Sequence, residues 1–190
     1  TLELAPDGSL FVGGLFSSYN GDGGANLVKL SESGLKDWSF AAGTGTNNVV
    51  FAVKLLDDGK VLIGGNFTSY NGTSVPRLIR LNSNGLLDVT FNIGSGPNSF
   101  VRAIDVQSDA KILIAGSFTS VNNEPRTRIA RLEANGVVDT GFALPATSTQ
   151  IISVTDILQQ ADGQVLFSGS FSGYILRLNS DGSYDTSFQS

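Results

Sequence analysis

The chain has 190 residues, 41% apolar and 15% charged, with a net charge of −5, so it is long enough to bury a substantial core and lacks the clustered Lys and Arg that nucleic acid requires. It contains no His and no Cys, which excludes the usual zinc, copper and haem ligand sets, a Ser-His-Asp triad, a Cys nucleophile and any disulfide staple. The longest apolar runs, such as Val61-Leu62-Ile63, are far too short to insert into a bilayer, and no basic amphipathic stretch marks a membrane surface.

Taken in chain order, the sequence repeats itself. Asp7, Asp58, Asp109 and Asp162 recur at intervals of 51, 51 and 53, and Phe16, Phe67, Phe118 and Phe171 keep the same spacing. Leu30, Leu81, Leu132 and Leu178 recur at 51, 51 and 46, in phase with the Gly34 and Phe40 series. Two extra residues between Phe142 and Val154, and a deletion after Phe171, account for the departures. The repeats therefore run 1–49, 50–100, 101–153 and 154–190 of a single domain or segment.

Each repeat reads as four short strands. In the second they are 50–56, 60–67, 77–82 and 86–91, with hairpin turns at Asp57-Asp58-Gly59 and Ser83-Asn84-Gly85. Continuous aliphatic runs such as Lys111-Ile112-Leu113-Ile114 suit strands buried on both faces. The pairs Gly13-Gly14, Gly64-Gly65, Ala115-Gly116 and Ser168-Gly169 mark close backbone approach. No stretch carries a sustained 3.6-residue period, so helix is not expected. Four antiparallel strands per unit of about 50 residues is the size of a propeller blade. The fold class is all-β, a β-propeller of four blade-like repeats, either closed on themselves or part of a larger ring.

The segment DDGKVLIGGNFTSYNG, continued in RLIRLNSNGLLDVTFNIGSG, resembles the delta-60 repeats, a β-propeller family of large secreted bacterial proteins. The resemblance covers essentially the whole chain. It implies the propeller fold and a secreted or cell-surface setting, and it implies no activity. With no Met in the chain, and Thr1 aligned with Ala52 inside a strand, the segment reads as a piece of a longer array.

A hairpin about Ser83-Asn84-Gly85 sets Arg80 opposite Asp88, and the same arithmetic pairs Lys29 with Asp37, Arg131 with Asp139 and Arg177 with Asp185. Such pairs fix hairpin register, each contributing about 0.2–1 kcal/mol. A ring of carboxylates for cations is the competing reading.

Alternating strands put the first-to-second and third-to-fourth turns on one face. The longer loops 17–26, 68–76 and 119–127, and the connections 41–48, 92–99 and 143–153, fall on the other. Loops on a rigid scaffold are where binding concentrates. The candidate ligand residues there are Tyr19, Asn20, Asp22, Tyr70, Asn71, Asn122, Glu124 and Arg126. Tyr19 and Tyr70 occupy equivalent positions, with Val121 in the third repeat, and serve either to stack a ligand or to pack on the blade edge. Asn20, Asp22 and Asn26 lie in an oxygen-rich loop that is a weak calcium candidate, without EF-hand spacing, or a plain Gly-rich turn. Glu124, Arg126 and Arg128 form a charge cluster expected to be solvated, and Trp38 is expected to pack on an outer strand.

The loop face holds few carboxylates and no evident acid–base pair, so no enzyme is expected. The expected function is a non-catalytic module of a secreted or cell-surface bacterial protein, used for adhesion or for holding a protein or glycan. A structural spacer is the alternative, and a hydrolase or lyase ranks third. No cofactor is required beyond the candidate calcium. The expected partners are a protein or glycan on the loop face and, at unpaired edges, a second copy or neighbouring repeats.

Overall fold

The computed structural model describes residues 1–144, 152–170 and 175–189. Phe171, the shortening after it and most of the 143–153 connection lie outside the described residues. Within them all secondary structure is β, divided between two units, Thr1–Phe91 and Asn92–Ser190, of two repeats each.

In the first unit, β1 (Leu2–Leu4), β2 (Leu10–Gly13) and β3 (Leu27–Leu30) form one antiparallel sheet in that order. Then β4 (Val50–Leu55), β5 (Val61–Gly65) and β8 (Leu78–Leu81) form the next, with a small hairpin of β6 (Ser69–Tyr70) and β7 (Thr73–Ser74) between β5 and β8. The second unit repeats the plan: β9 (Val101–Val106), β10 (Ile112–Gly116) and β13 (Ile129–Leu132), with the hairpin β11 (Ser120–Val121) and β12 (Glu124–Pro125). Its last sheet is β14 (Ser153–Gln159), β15 (Val165–Ser170) and β16 (Ile175–Leu178).

The fourth strand of each repeat is shorter than the sequence pattern suggests. It is the bridge Leu30↔Lys36, and likewise Leu81↔Leu87, Leu132↔Val138 and Leu178↔Tyr184. The next residue, an Asp in all four, gives its N–H to the third strand, as Asp88 does to Arg80 O at 2.9 Å. Its Oδ1 then turns the chain away: Asp88 Oδ1 accepts the Thr90 N–H at 2.9 Å and the Thr90 hydroxyl at 2.6 Å. That local bond competes with continued pairing and ends the strand.

The first turns follow the same chemistry. Asp58 Oδ1 accepts the Lys60 N–H at 3.1 Å, and Gly59 sits at φ 79°. The third repeat holds Ala110 in this conformation, at φ 66°. In the second, third and fourth repeats a glycine at or next to the end of the second strand marks a bulge: a Cβ on Gly65 would stand 2.3 Å from Val49 O, so no side chain fits there.

Each unit has its own core. In the first, Phe11, Val50, Val53, Val61, Ile63 and Phe67 interdigitate between the two sheets. In the second, Leu113, Ala115, Ile157, Val165 and Phe167 do so. Alternate residues of the second strands serve opposite faces: Phe11 and Leu113 point to the following repeat, while Val61, Ile63, Val165 and Phe167 point to the preceding one.

Candidate functional site

The loops expected to present ligand residues are engaged with one another. Asn20-Gly21 (φ 51° and 85°), Asn71-Gly72 (48° and 78°) and Asn122-Asn123 (53° and 65°) are the tips of tight hairpins with both central residues left-handed. Tyr19 and Asp22 exchange both backbone hydrogen bonds across the first tip. The connection 41–48 runs along the second repeat: Ala41 N–H donates to Asn84 O at 2.8 Å, and Asn71 N–H donates to Gly45 O at 2.8 Å. Asn47 Oδ1 accepts the N–H groups of Thr68 and Ser69 at 2.8 and 3.0 Å. The connection 41–48 thus crosses the second repeat instead of standing free on one face.

Several expected ligand residues are therefore structural. Tyr70 is 2% exposed and its hydroxyl donates to Gly85 O at 2.7 Å, which excludes it from stacking a ligand; burial pushes its phenol well above the ordinary value. Tyr19 is half-buried and donates to Gly34 O at 2.8 Å. Asn71 Oδ1 accepts the Thr44 N–H at 3.3 Å, and Asn122 Oδ1 accepts that of Ser95 at 3.2 Å. Arg126 is buried, contrary to the solvated cluster expected: its Nη1 donates to Pro125 O at 2.7 Å. Arg128 is half-buried and donates to Ser117 O, so of that cluster Glu124 alone is exposed.

The calcium reading loses its third ligand. Asn26 is buried, with Oδ1 accepting the Phe16 N–H at 3.0 Å and Nδ2 donating to Thr46 O at 2.8 Å. Asn20 and Asp22 are exposed at the hairpin tip. Among the described residues no group of three or more Asp and Glu is placed to hold a metal.

The charge pairs stand in contact. Arg80 Nε lies 2.8 Å from Asp88 Oδ2, Arg131 Nε 2.7 Å from Asp139 Oδ2, Arg177 Nη2 2.6 Å from Asp185 Oδ2 and Lys29 Nζ 2.8 Å from Asp37 Oδ2. Lys60 and Lys111 join Asp88 and Asp139 at 3.2 and 2.7 Å. Burial pushes the Asp139 carboxyl up, but Lys111, Arg131 and the Gly141 N–H outweigh it and bring it to about 2. Lys29 and the Ser39 hydroxyl hold Asp37 at about 2 as well. Carboxylates so committed are poor cation ligands and poor general acids.

The first repeat departs from this plan in a way that sequence reasoning missed. The guanidinium groups of Arg80, Arg131 and Arg177 lie 4.8, 4.7 and 4.8 Å from the ring centroids of Phe91, Phe142 and Phe188. The equivalent cation in the first repeat is the shorter Lys29, which lies 5.7 Å from Phe11 instead. Beside Phe40 a cleft of about 240 Å³ opens, lined by Leu27, Lys29, Lys36, Asp37, Trp38 and the 41–43 backbone among others. Trp38 stands at this cleft 69% exposed, not packed on an outer strand. Lys36 Nζ lies 4.1 Å from the indole centroid and donates to Gly23 O. An exposed indole beside two ammonium groups and a carboxylate is suited to a ring-shaped, hydroxyl-rich ligand. The signal was present: this repeat alone combines Lys at the Arg position with the chain's one Trp.

A family model described as "Domain of unknown function (DUF5122) beta-propeller" matches residues 5–40, 56–91, 107–142 and 160–188. No curated protein matches the chain. Among solved structures, the WD40 β-propeller domain of Doa1 is similar at 16% identity and TM-score 0.59, over 90% of this chain and 46% of that one. The extracellular domain of a protein assigned to the hybrid two-component systems of B. thetaiotaomicron is similar at 19% identity and TM-score 0.55, over 92% of this chain and 19% of that one. The chain thus spans less than half the length of either, and at these identities the likeness is one of fold.

Proposed function

Because the chain belongs to the DUF5122 β-propeller family, we propose that it is a non-catalytic binding module of a secreted or cell-surface bacterial protein, holding a glycan at the Trp38 cleft. Its repeats are, in this reading, of the delta-60 type. The observation that carries the proposal is Trp38 itself, 69% exposed on a cleft in the one repeat whose strand cation is Lys29 and not an Arg stacked on the equivalent Phe ring. The extracellular setting of the B. thetaiotaomicron neighbour supports the location. A chain without His or Cys, whose repeated Asp residues are held by cations, supports the absence of catalysis.

The test is a glycan array followed by titration of the best hit against the domain and Trp38→Ala. Binding weakened at least about tenfold by the substitution, with thermal stability unchanged, supports the proposal. An array without a hit, or a hit indifferent to Trp38, overturns it. A structural spacer is the second reading, favoured by loops whose Asn and Tyr groups bond to the chain itself, and an empty array is the result it expects.

A further inference from the structure

The Trp38 cleft holds a charge that its own ion pair does not cancel. Among the described residues that line it, Asp37 is the one acid, and Lys29 and Lys36 are the two bases. Asp37 is fully engaged: Oδ2 lies 2.8 Å from Lys29 Nζ, and Oδ1 accepts the Ser39 N–H at 2.9 Å and the Ser39 hydroxyl at 2.6 Å. Lys29 and Asp37 therefore neutralise each other. The partners of Lys36 carry no charge: its ammonium donates to Gly23 O and lies 4.1 Å from the indole centroid. In a chain of net charge −5, the cleft is left with one positive charge.

Lys36 is a departure from the repeat. It occupies the residue that bridges to the third strand, where the other repeats place Leu87, Val138 and Tyr184. Its ammonium sits over one face of an indole that is 69% exposed, in the place that a stacked sugar ring would take. A ring that stacks on that face must move the ammonium off the indole and away from Gly23 O. A neutral sugar gives the ammonium only hydroxyls in return, which water gives equally well. A sugar that carries a carboxylate or a sulfate gives it a counter-charge. The apolar walls of the cleft, Leu27, Phe40 and Ala42, strengthen that attraction by keeping water from it.

We propose that Lys36 makes the cleft selective for acidic sugars: it caps the indole until a ring bearing a carboxylate or sulfate displaces it, and then pairs with that anion. The proposal rests on the glycan reading of the cleft and adds to it the charge of the sugar. It gives Lys36 two opposed effects, a penalty on every ring that stacks and a larger gain for the acidic ones.

The test is titration of the 190-residue chain with probes that differ only in charge. They are oligogalacturonate as the free acid and as its methyl ester, and a sulfated galactan oligosaccharide with its desulfated form. The parent is expected to bind an acidic form at least about tenfold more tightly than its neutral partner, and to lose most of that preference in high salt. The pair that shows the preference identifies the anion as carboxylate or sulfate. Lys36→Gln is expected to weaken the acidic form about tenfold while binding the neutral form as tightly as the parent or more so. A Lys that only held its loop would weaken both forms together. Acidic and neutral forms bound equally by the parent overturn the proposal, a result that needs no variant. So does a folded Lys36→Gln variant that keeps the parent's preference. In either case the glycan reading stands if Trp38→Ala abolishes the binding. A parent that binds none of the probes also overturns the proposal, and a neutral array hit lost in Trp38→Ala would then keep the glycan reading.

Discussion

The Tyr70 hydroxyl donates to the carbonyl oxygen of Gly85 at 2.7 Å, joining the hairpin that precedes the third strand to the turn that follows it. The ring runs beside the short fourth strand and is buried in the core of its unit. Tyr70→Phe leaves a buried carbonyl without this donor and is expected to cost about 1–2 kcal/mol. Tyr19→Phe removes the equivalent bond to Gly34 O from a half-buried site and is expected to cost less. Urea denaturation of the two variants measures the difference, and equal losses would contradict it.

The paired carboxylates make stability depend on acid in a defined window. Asp37 and Asp139 are lowered from 3.8 to about 2 in the folded chain. A group whose folded value is depressed contributes stability that is complete above its unfolded value and is lost as pH falls through its folded one. Stability is therefore expected to hold down to about pH 4 and to fall between about pH 4 and pH 2. Asp139→Asn should lower stability at neutral pH by about 1–3 kcal/mol and flatten that fall, as checked by thermal melts across the range.

Much of the fold is legible because its signals are local and repeated. Asp-Gly turns, aliphatic runs and hairpin arithmetic all lie within about ten residues of each other, and the Arg80–Asp88 register follows from the turn alone. The loop face is harder to read because its fate is decided at long range. Asn26 is spent on Thr46, and Asn71 on Thr44, partners twenty or more residues away in sequence. Tyr70 reads as either a ligand platform or blade-edge packing until its position over Gly85 is known. The Trp38 cleft is missed for a different reason: its signal is not a motif but two departures from the repeat, Lys29 at the Arg position and the chain's one Trp.

Ala110 offers a test of backbone strain. It holds φ 66° in a turn where Gly8, Gly59 and Gly163 hold 79°, 79° and 86°. An L-residue pays a Cβ penalty there that glycine does not. Ala110→Gly is expected to stabilise the domain by about 1 kcal/mol, the opposite of a Gly substitution within a strand. A lower melting temperature would show that the gain in chain entropy of the unfolded state outweighs the relief of strain.

Lys29→Arg tests the cause of the cleft and its use together. If the first repeat lacks only the guanidinium, the substitution should bring one over Phe40, as Arg80 lies over Phe91, while keeping the ion pair with Asp37. The added cation–π contact is expected to raise stability by about 0.5–1 kcal/mol. The same group would occupy the space beside Trp38, so glycan affinity should fall at least about tenfold although Trp38 itself is untouched. Denaturation and titration of one variant read both effects. A stabilised variant that binds unchanged would separate them, placing the ligand on the exposed indole outside the cleft.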